Sequence, residues 1–277
     1  MARRSAIGVA ALAIGCALAT QAGAEKVRVA VYAPWAGPST ADDRHELALQ
    51  IEAAGDGVEV SSFAKLKDFR RALNAGSVDL ALVDSGVVSS LGKRSRVIAS
   101  WSSGKPWVIA GNQPHPRLRS LRLALQARDA PSSIATVTRL LRGQMAAGDW
   151  GKVIGAPVTA DARQVVARGE ADVVIIPRRD LGSLSEIATL GEFSELALAA
   201  IGTDEINGAA TAVKSVVRDR LGGSWSSGRP AFPKTVRITA LVTADAAVKT
   251  ASLLDLLAPT AGSAPKLPIE DLWVDPQ

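Results

Sequence analysis

The sequence predicts an α/β protein of two similar lobes, each a mainly parallel sheet flanked by helices, with two hinge connections between them. Three observations predict it. Short Val-, Ile- and Leu-rich runs alternate with segments of helical periodicity from Lys26 onward, the order that builds parallel sheets with helices on their faces. The stretch ALNAGSVDLALVDSG (72–86) has a counterpart in VVARGEADVVIIPRR (165–179), with Gly76 and Gly169, and Asp79 and Asp172, each pair 93 residues apart. After a Pro-rich connection at Pro114 and Pro116, the strand–helix order starts again.

Each element has its own signal. KVRVAVYA (26–33) alternates and is a strand, followed by the loop Pro34 to Pro38. Ser39 or Thr40 can cap a helix to about Ala54, with Asp42 and Asp43 in its first turn. Val58 to Phe63 is a strand, Lys65 to Ala75 a helix with Leu66, Phe69 and Leu73 on one face, and Leu80 to Val83 a strand. Trp107 to Ala110 is a further apolar run. In the second half, Leu121 to Leu125 is a strand, and a helix opens at Pro131-Ser132-Ser133 with Ile134, Val137, Leu140 and Leu141 on its face. Lys152 to Ile154, a helix at Asp161 to Arg168, and the strand Asp172 to Ile176 follow.

Beyond Leu184 the pattern is weaker. A helix is expected from about Ala209 to Leu221, a strand at Val236 to Thr243 and a helix at Ala244 to Leu257. The Pro-rich tail is expected to strap the surface through Leu272 and Trp273. SWSSGKP (100–106) and SWSSGRP (224–230) read as two similar Ser/Gly loops, or as flanks of the connections between lobes. The organisation expected is a leader at 1–24, the first lobe at 25–107 and the second at 108–235. Residues 236–277 then return to the first lobe; a return near Ala199 is the alternative.

The leader follows from Arg3 and Arg4, the apolar run Ala6 to Ala19, and Ala22-Gly23-Ala24 as a cleavage site after Ala24. Anchoring through Cys16, in a lipobox-like Ala13-Ile14-Gly15-Cys16, is the alternative. Cys16 is the single cysteine of the chain, so the mature protein forms no disulfide and stands on its core. Without the two leader arginines the basic excess falls from five to three. With no run of like charge there is no nucleic-acid stripe. A periplasmic monomer is expected.

The chain from Lys26 to Leu184 resembles the type 2 periplasmic substrate-binding fold, in its phosphate/phosphonate-binding branch of ABC-transporter receptors. The residues that carry the resemblance are Gly76 to Ser85, QPHPRLRSLRLALQARDAPSS (113–133) and VVARGEADVVIIP (165–177). The family's small-residue cluster falls on Pro131-Ser132-Ser133-Ile134. The resemblance implies a small, anionic, phosphate- or phosphonate-like ligand held between lobes, and an inner-membrane ABC permease as partner. The alternative is a sensory or accessory protein of the same fold without transport.

Physical reasoning points to the same place. Ligands of open α/β sheets sit beyond the carboxyl ends of strands, where helix N-termini suit an anion. Ser132 and Ser133 can donate to an oxyanion or only cap their helix, and Ser39 and Thr40 have the same two readings. Asp84 and Ser85 end one strand and Arg178 another; the aspartate can accept from a ligand or cap a turn, and the arginine can form a fork with an oxyanion or stay solvated. Tyr32 and Trp35 can wall the ligand or pack, and Trp101 and Trp107 are expected in the core. No catalytic or cofactor motif appears: His45 and His115 lack metal spacing, no Gly-x-Ser-x-Gly elbow exists, and Ser103-Gly104-Lys105 lacks the upstream glycine of a phosphate loop. No enzyme, metal or cofactor is expected.

Overall fold

The computed structural model describes residues 26–238 apart from 36–40, 94, 114, 116–117, 127–129, 142–146, 157–158, 203–205 and 233–236. The expected leader with Cys16, Ser39 and Thr40, the expected helix at 244–257 and the tail lie outside the described residues. The first half forms β1 (Val27–Tyr32), α1 (Ala41–Ala54), β2 (Val58–Ser62), α2 (Leu66–Asn74), β3 (Leu80–Asp84) and β4 (Ser95–Ser102). The second forms β5 (Trp107–Gly111), β6 (Arg122–Gln126), α3 (Ala130–Leu140), β7 (Lys152–Ala156), α4 (Thr159–Ala167), β8 (Val173–Pro177) and β9 (Ser185–Gly191). Then come β10 (Leu196–Ile201), α5 (Asn207–Leu221), β11 (Ser224–Ser227) and β12 (Arg237–Ile238).

These strands make two six-stranded sheets, ordered β11-β4-β10-β3-β1-β2 and β12-β9-β5-β8-β6-β7. Each has a parallel half, β2-β1-β3 or β7-β6-β8, built as the sequence implies. Each is completed by antiparallel strands: β10 pairs with β3, and β5 with β8. The strand that extends each parallel half arrives straight from the other sheet, β5 after β4 and β10 after β9. The lobes are therefore interlocked through Ser103 to Pro106 and Glu192 to Glu195. A third crossing runs from β11 to β12.

Sheet membership revises the expected boundaries. The chain returns to the first sheet at Leu196, at the alternative near Ala199 and not near Thr235, and β12 lies in the second sheet. The LALAAI of β10 is wholly buried up to Ala200, and such an Ala-rich apolar run has no period that marks it as a strand. The SWSSG stretches also prove to be strands. Ser224 to Ser227 pair antiparallel with Ser102 to Ala99, Trp225 opposite Trp101, and each strand leads into a crossing. Trp101 is core as expected, its Nε1 donating to the Gly222 carbonyl at 2.9 Å.

Both faces of each sheet are covered, so strand side chains alternate between two cores. Leu80 and Leu82 face the cluster under α1 and α5, Ala81 and Val83 the one under α2. In β8, Val173 and Ile175 separate from Val174 and Ile176 in the same way.

The repeated Gly-x-x-Asp unit is a structural clamp. Gly76 (φ 67°) and Gly169 (φ 74°) end α2 and α4 in the left-handed region that favours glycine. Their amides bond back to the Leu73 and Val166 carbonyls at 3.1 and 2.8 Å. Three residues on, Asp79 accepts from the Arg28 amide (2.9 Å) and from Nε (2.9 Å) and Nη2 (2.7 Å) of its guanidinium. Asp172 does the same to Arg122, at 2.7, 3.2 and 2.7 Å. Each clamp ties the amino ends of two parallel strands, opposite the ends expected to face a ligand.

Candidate functional site

The strand tips of the first sheet meet the second lobe directly. β1 and β3 are parallel neighbours, so the loop after Tyr32 passes over the tip of β3. There Asp84, fully buried, accepts a 2.8 Å hydrogen bond from the Trp35 amide. That bond aims the Trp35 ring out of its own lobe. The ring joins the apolar cluster of the second and stacks on Trp107, centroids 5.2 Å apart. Trp107 meets Phe193 edge-on at 5.6 Å, and Phe193 stacks on Phe232 at 5.9 Å. Aromatic pairs at such spacings add about 0.5–1.5 kcal/mol each beyond their buried area. The spine runs along the crossings, since Trp107 follows the first, Phe193 lies in the second and Phe232 in the third.

Beside it, the turn Ser85–Leu91 packs on α3. Gly86 lies so close that a Cβ there would sit 2.5 Å from the Thr136 amide nitrogen. Arg139, one helical turn on, donates to the Ser85 carbonyl at 3.5 Å and lies over the Phe232 ring at 5.8 Å. Ser133 is fully buried and spends its hydroxyl on the Gln126 carbonyl at 3.2 Å, tying α3 to β6. Ser132 occupies the first turn of the same helix.

Two of these groups lack hydrogen-bond partners. The indole N–H of Trp35 and the hydroxyl of Ser85 are buried at the seam without one among the described residues. A buried donor left unmade costs about 1–3 kcal/mol, and both are donors, the kind of group an anion or carbonyl ligand would engage.

Other expected contacts lie elsewhere. Tyr32 is fully buried against Phe69 in the core beneath α2, rings stacked at 5.2 Å. The Arg178 guanidinium, half exposed, makes its fork with Glu186, at 2.8 Å for both bonds. Its amide binds the Pro106 carbonyl.

Glu195 was not anticipated. It precedes β10, in register next to Ser85, whose amide binds its carbonyl at 2.9 Å. Its carboxylate reaches across to the first crossing, accepting from the amide (3.2 Å) and hydroxyl of Ser103. Burial pushes this carboxyl up from its ordinary value, against the opposing pull of hydrogen bonds from Ser103 and Trp107 and of the Arg179 charge. A lone glutamate heading an apolar run carries no spacing signal; only the antiparallel return of β10 brings it to the hinge. Among the described residues no group of three or more His, Cys, Asp or Glu side chains could hold a metal, and no helix is long and apolar enough to cross a membrane.

Interlocked sheets with a hinge of paired crossings define the two-lobed type 2 periplasmic-binding-protein fold. No protein-family model and no curated protein matches the chain. Among solved structures it is similar to a Xanthomonas citri protein bound to ATP, at 12% identity over 76% of this chain and 92% of that one, TM-score 0.50. It is also similar to the binding component of an ABC phosphonate transporter from Pseudomonas aeruginosa (10% identity, 74% and 82% covered, TM-score 0.49). A third is PhnD1 from Prochlorococcus marinus in complex with methylphosphonate (16%, 70% and 84%, 0.47). At such identities the likeness is one of fold.

Proposed function

We propose that the chain is an exported, periplasmic solute-binding protein whose lobes part on the hinge, admit a small anion at the strand tips of the first sheet, and close over it. The leader is removed after Ala24. The ligand is phosphate- or phosphonate-like, the protein is a monomer that does no catalysis, and an inner-membrane ABC permease receives the ligand. The observation that carries the reading is the pair of buried, unpartnered donors, Trp35 Nε1–H and Ser85 Oγ–H, at the seam between lobes. Trp35, Asp84 and Ser85 are at most 2% exposed, so a ligand reaches them only through a hinge motion.

The test is a thermal-shift screen of the mature protein with phosphate, phosphonates, sulfonates and carboxylates. A ligand at 100 times its dissociation constant adds about 2.7 kcal/mol of stability. Trp35→Phe keeps a ring and removes the N–H; Ser85→Ala removes the hydroxyl. Each should weaken a hit about tenfold, the loss of one hydrogen bond to a charged group. A hit indifferent to both would place the ligand elsewhere and defeat the reading.

The self-packed seam favours one second reading, a sensory or accessory protein without transport, because Trp35 already fills the space between lobes with the chain's own side chain. A screen without hits, together with a partner protein that exposes Trp35 to solvent, would decide for it.

A further inference from the structure

We infer a second anion-binding site, separate from the strand tips, in a cationic pocket between the lobes that takes a small molecule with two or more acidic groups. The pocket has a volume of about 620 Å³. One wall is the end of the turn after β3 and the start of β4 in the first lobe. Another is α3 of the second lobe, and the third is the crossing segment Arg229 to Phe232. Lys93, Arg96, Arg139 and Arg229 line it, and among the described residues no carboxylate does.

Like charges around one cavity repel one another unless an anion joins them, and Lys93, Arg139 and Arg229 are three such charges. Lys93 and Arg229 make no ion pair with any described residue. Arg139 is the more telling, because it is half-buried and its contacts are the long bond to the Ser85 carbonyl and the face of Phe232. Burial of a cation without a counter-charge is costly, and burial is what lowers the pKa of this guanidinium.

The location is independent of the strand tips. Arg96 is in register with Ala200, and Ala200 with Leu80. The pocket's β4 wall is therefore level with the first residue of β3, whereas Asp84 is its last. The volume exceeds what one oxyanion fills and lies in the range of small-molecule sites. Phe232, Val88 and Pro230 offer an apolar wall to the body of such a ligand. Because both lobes and a crossing contribute walls, an anion held there bridges them and favours the closed arrangement.

Calorimetric titration of the full chain with inorganic pyrophosphate, the smallest probe carrying two linked acidic groups, tests this. Lys93 and Arg229 are exposed and unpaired, so Lys93→Ala with Arg229→Ala leaves the fold intact. The pair should weaken pyrophosphate at least tenfold, while removing two exposed lysines elsewhere, Lys65→Ala with Lys152→Ala, changes it less than twofold. Ser85→Ala should leave pyrophosphate affinity unchanged even where it weakens a ligand at the strand tips. Absence of binding overturns the site, as does an equal loss in the two charge-removal variants. A loss with Ser85→Ala as large as with the pocket pair assigns the probe to the seam and overturns the separate site.

Discussion

Replacing Gly86 by alanine puts a methyl group into the backbone of α3. Gly86 is not among the glycines of positive φ, so alanine meets no conformational strain there and the effect is one of contact alone. Its Cβ would lie 2.5 Å from the Thr136 nitrogen, 2.6 Å from its Cα and 2.2 Å from its Oγ1, where ordinary contact begins at 3.4 Å. A threonine hydroxyl can turn away, but helix backbone cannot. The turn and α3 must therefore separate by roughly an ångström, in a region packed too tightly to absorb it locally.

Overpacking of this kind costs about 1–3 kcal/mol. Charged to the proposed closure, it shifts that closed–open equilibrium roughly 5- to 150-fold toward open, at about 1.4 kcal/mol per factor of ten. The Trp35–Trp107 stack spans the seam and reports the change: near-ultraviolet circular dichroism should lose its coupled tryptophan band, and the radius of gyration from small-angle scattering should grow. Thr136→Ala in the Gly86→Ala background removes the hydroxyl contact and leaves the two backbone ones, so it should not restore the band. A variant that melts earlier while keeping the tryptophan band and its dimensions would show α3 yielding within its own lobe, and the argument that this contact holds the seam would be wrong.

The other predictions concern the clamps and the hinge acid. Asp79→Ala and Asp172→Ala should each lower stability by about 2 kcal/mol, mostly the hydrogen bond from a strand amide to a charged acceptor, because the partly exposed guanidinium fork adds at most about 1 kcal/mol. They lie in different sheets, so the double variant should show the sum in urea unfolding. The Arg28 guanidinium holds the Asp79 carboxyl below its ordinary value. Its stabilisation is therefore present above the ordinary aspartate range and lost as pH falls through the lowered value, so the deficit of Asp79→Asn should shrink in acid. Glu195 has the opposite sign: with its pKa raised in the fold, its contribution is complete below the ordinary glutamate value and is lost as pH rises through the raised one. Glu195→Gln keeps an acceptor for Ser103 and removes the charge, so its melting temperature should gain on the parent as pH rises from 4 to 8; a constant difference would contradict the burial argument.

How much was legible follows from where the signals are local. The parallel half of each sheet could be read because β1 alternates, β3, β6 and β8 carry short apolar runs, and helices with their own period lie between them. The clamp was visible as Gly-x-x-Asp, but not its partner arginines, because Arg28 and Arg122 look like any exposed strand residue until the strands are paired. The antiparallel halves were hidden: β4 mixes serine and arginine into its run, and β10 is alanine-rich. Asp84 and Ser85 at the end of an apolar run, and Trp35 in the loop after the first strand, were legible as strand-tip positions. Gly86, Thr136, Phe193 and Glu195 were not, since each matters through a contact across the lobes that no spacing along the chain encodes.

The two halves of the molecule agree at one end of their sheets and differ at the other. At the amino ends the same atoms of the same residue types, Arg28–Asp79 and Arg122–Asp172, make the same three bonds, which is what a framework requires. At the carboxyl ends, Asp84 holds the Trp35 amide and throws its ring across the seam, while the matching Pro177, unable to donate, leads to an arginine whose amide is pinned to the first crossing. A framework motif can be repeated unchanged, because both lobes need the same helix-to-strand turn. The tips cannot, because each faces the other lobe and not a copy of itself. The asymmetry of the tips rests, in this chain, on Trp35, Asp84 and Ser85, the residues to which the proposed function assigns the ligand.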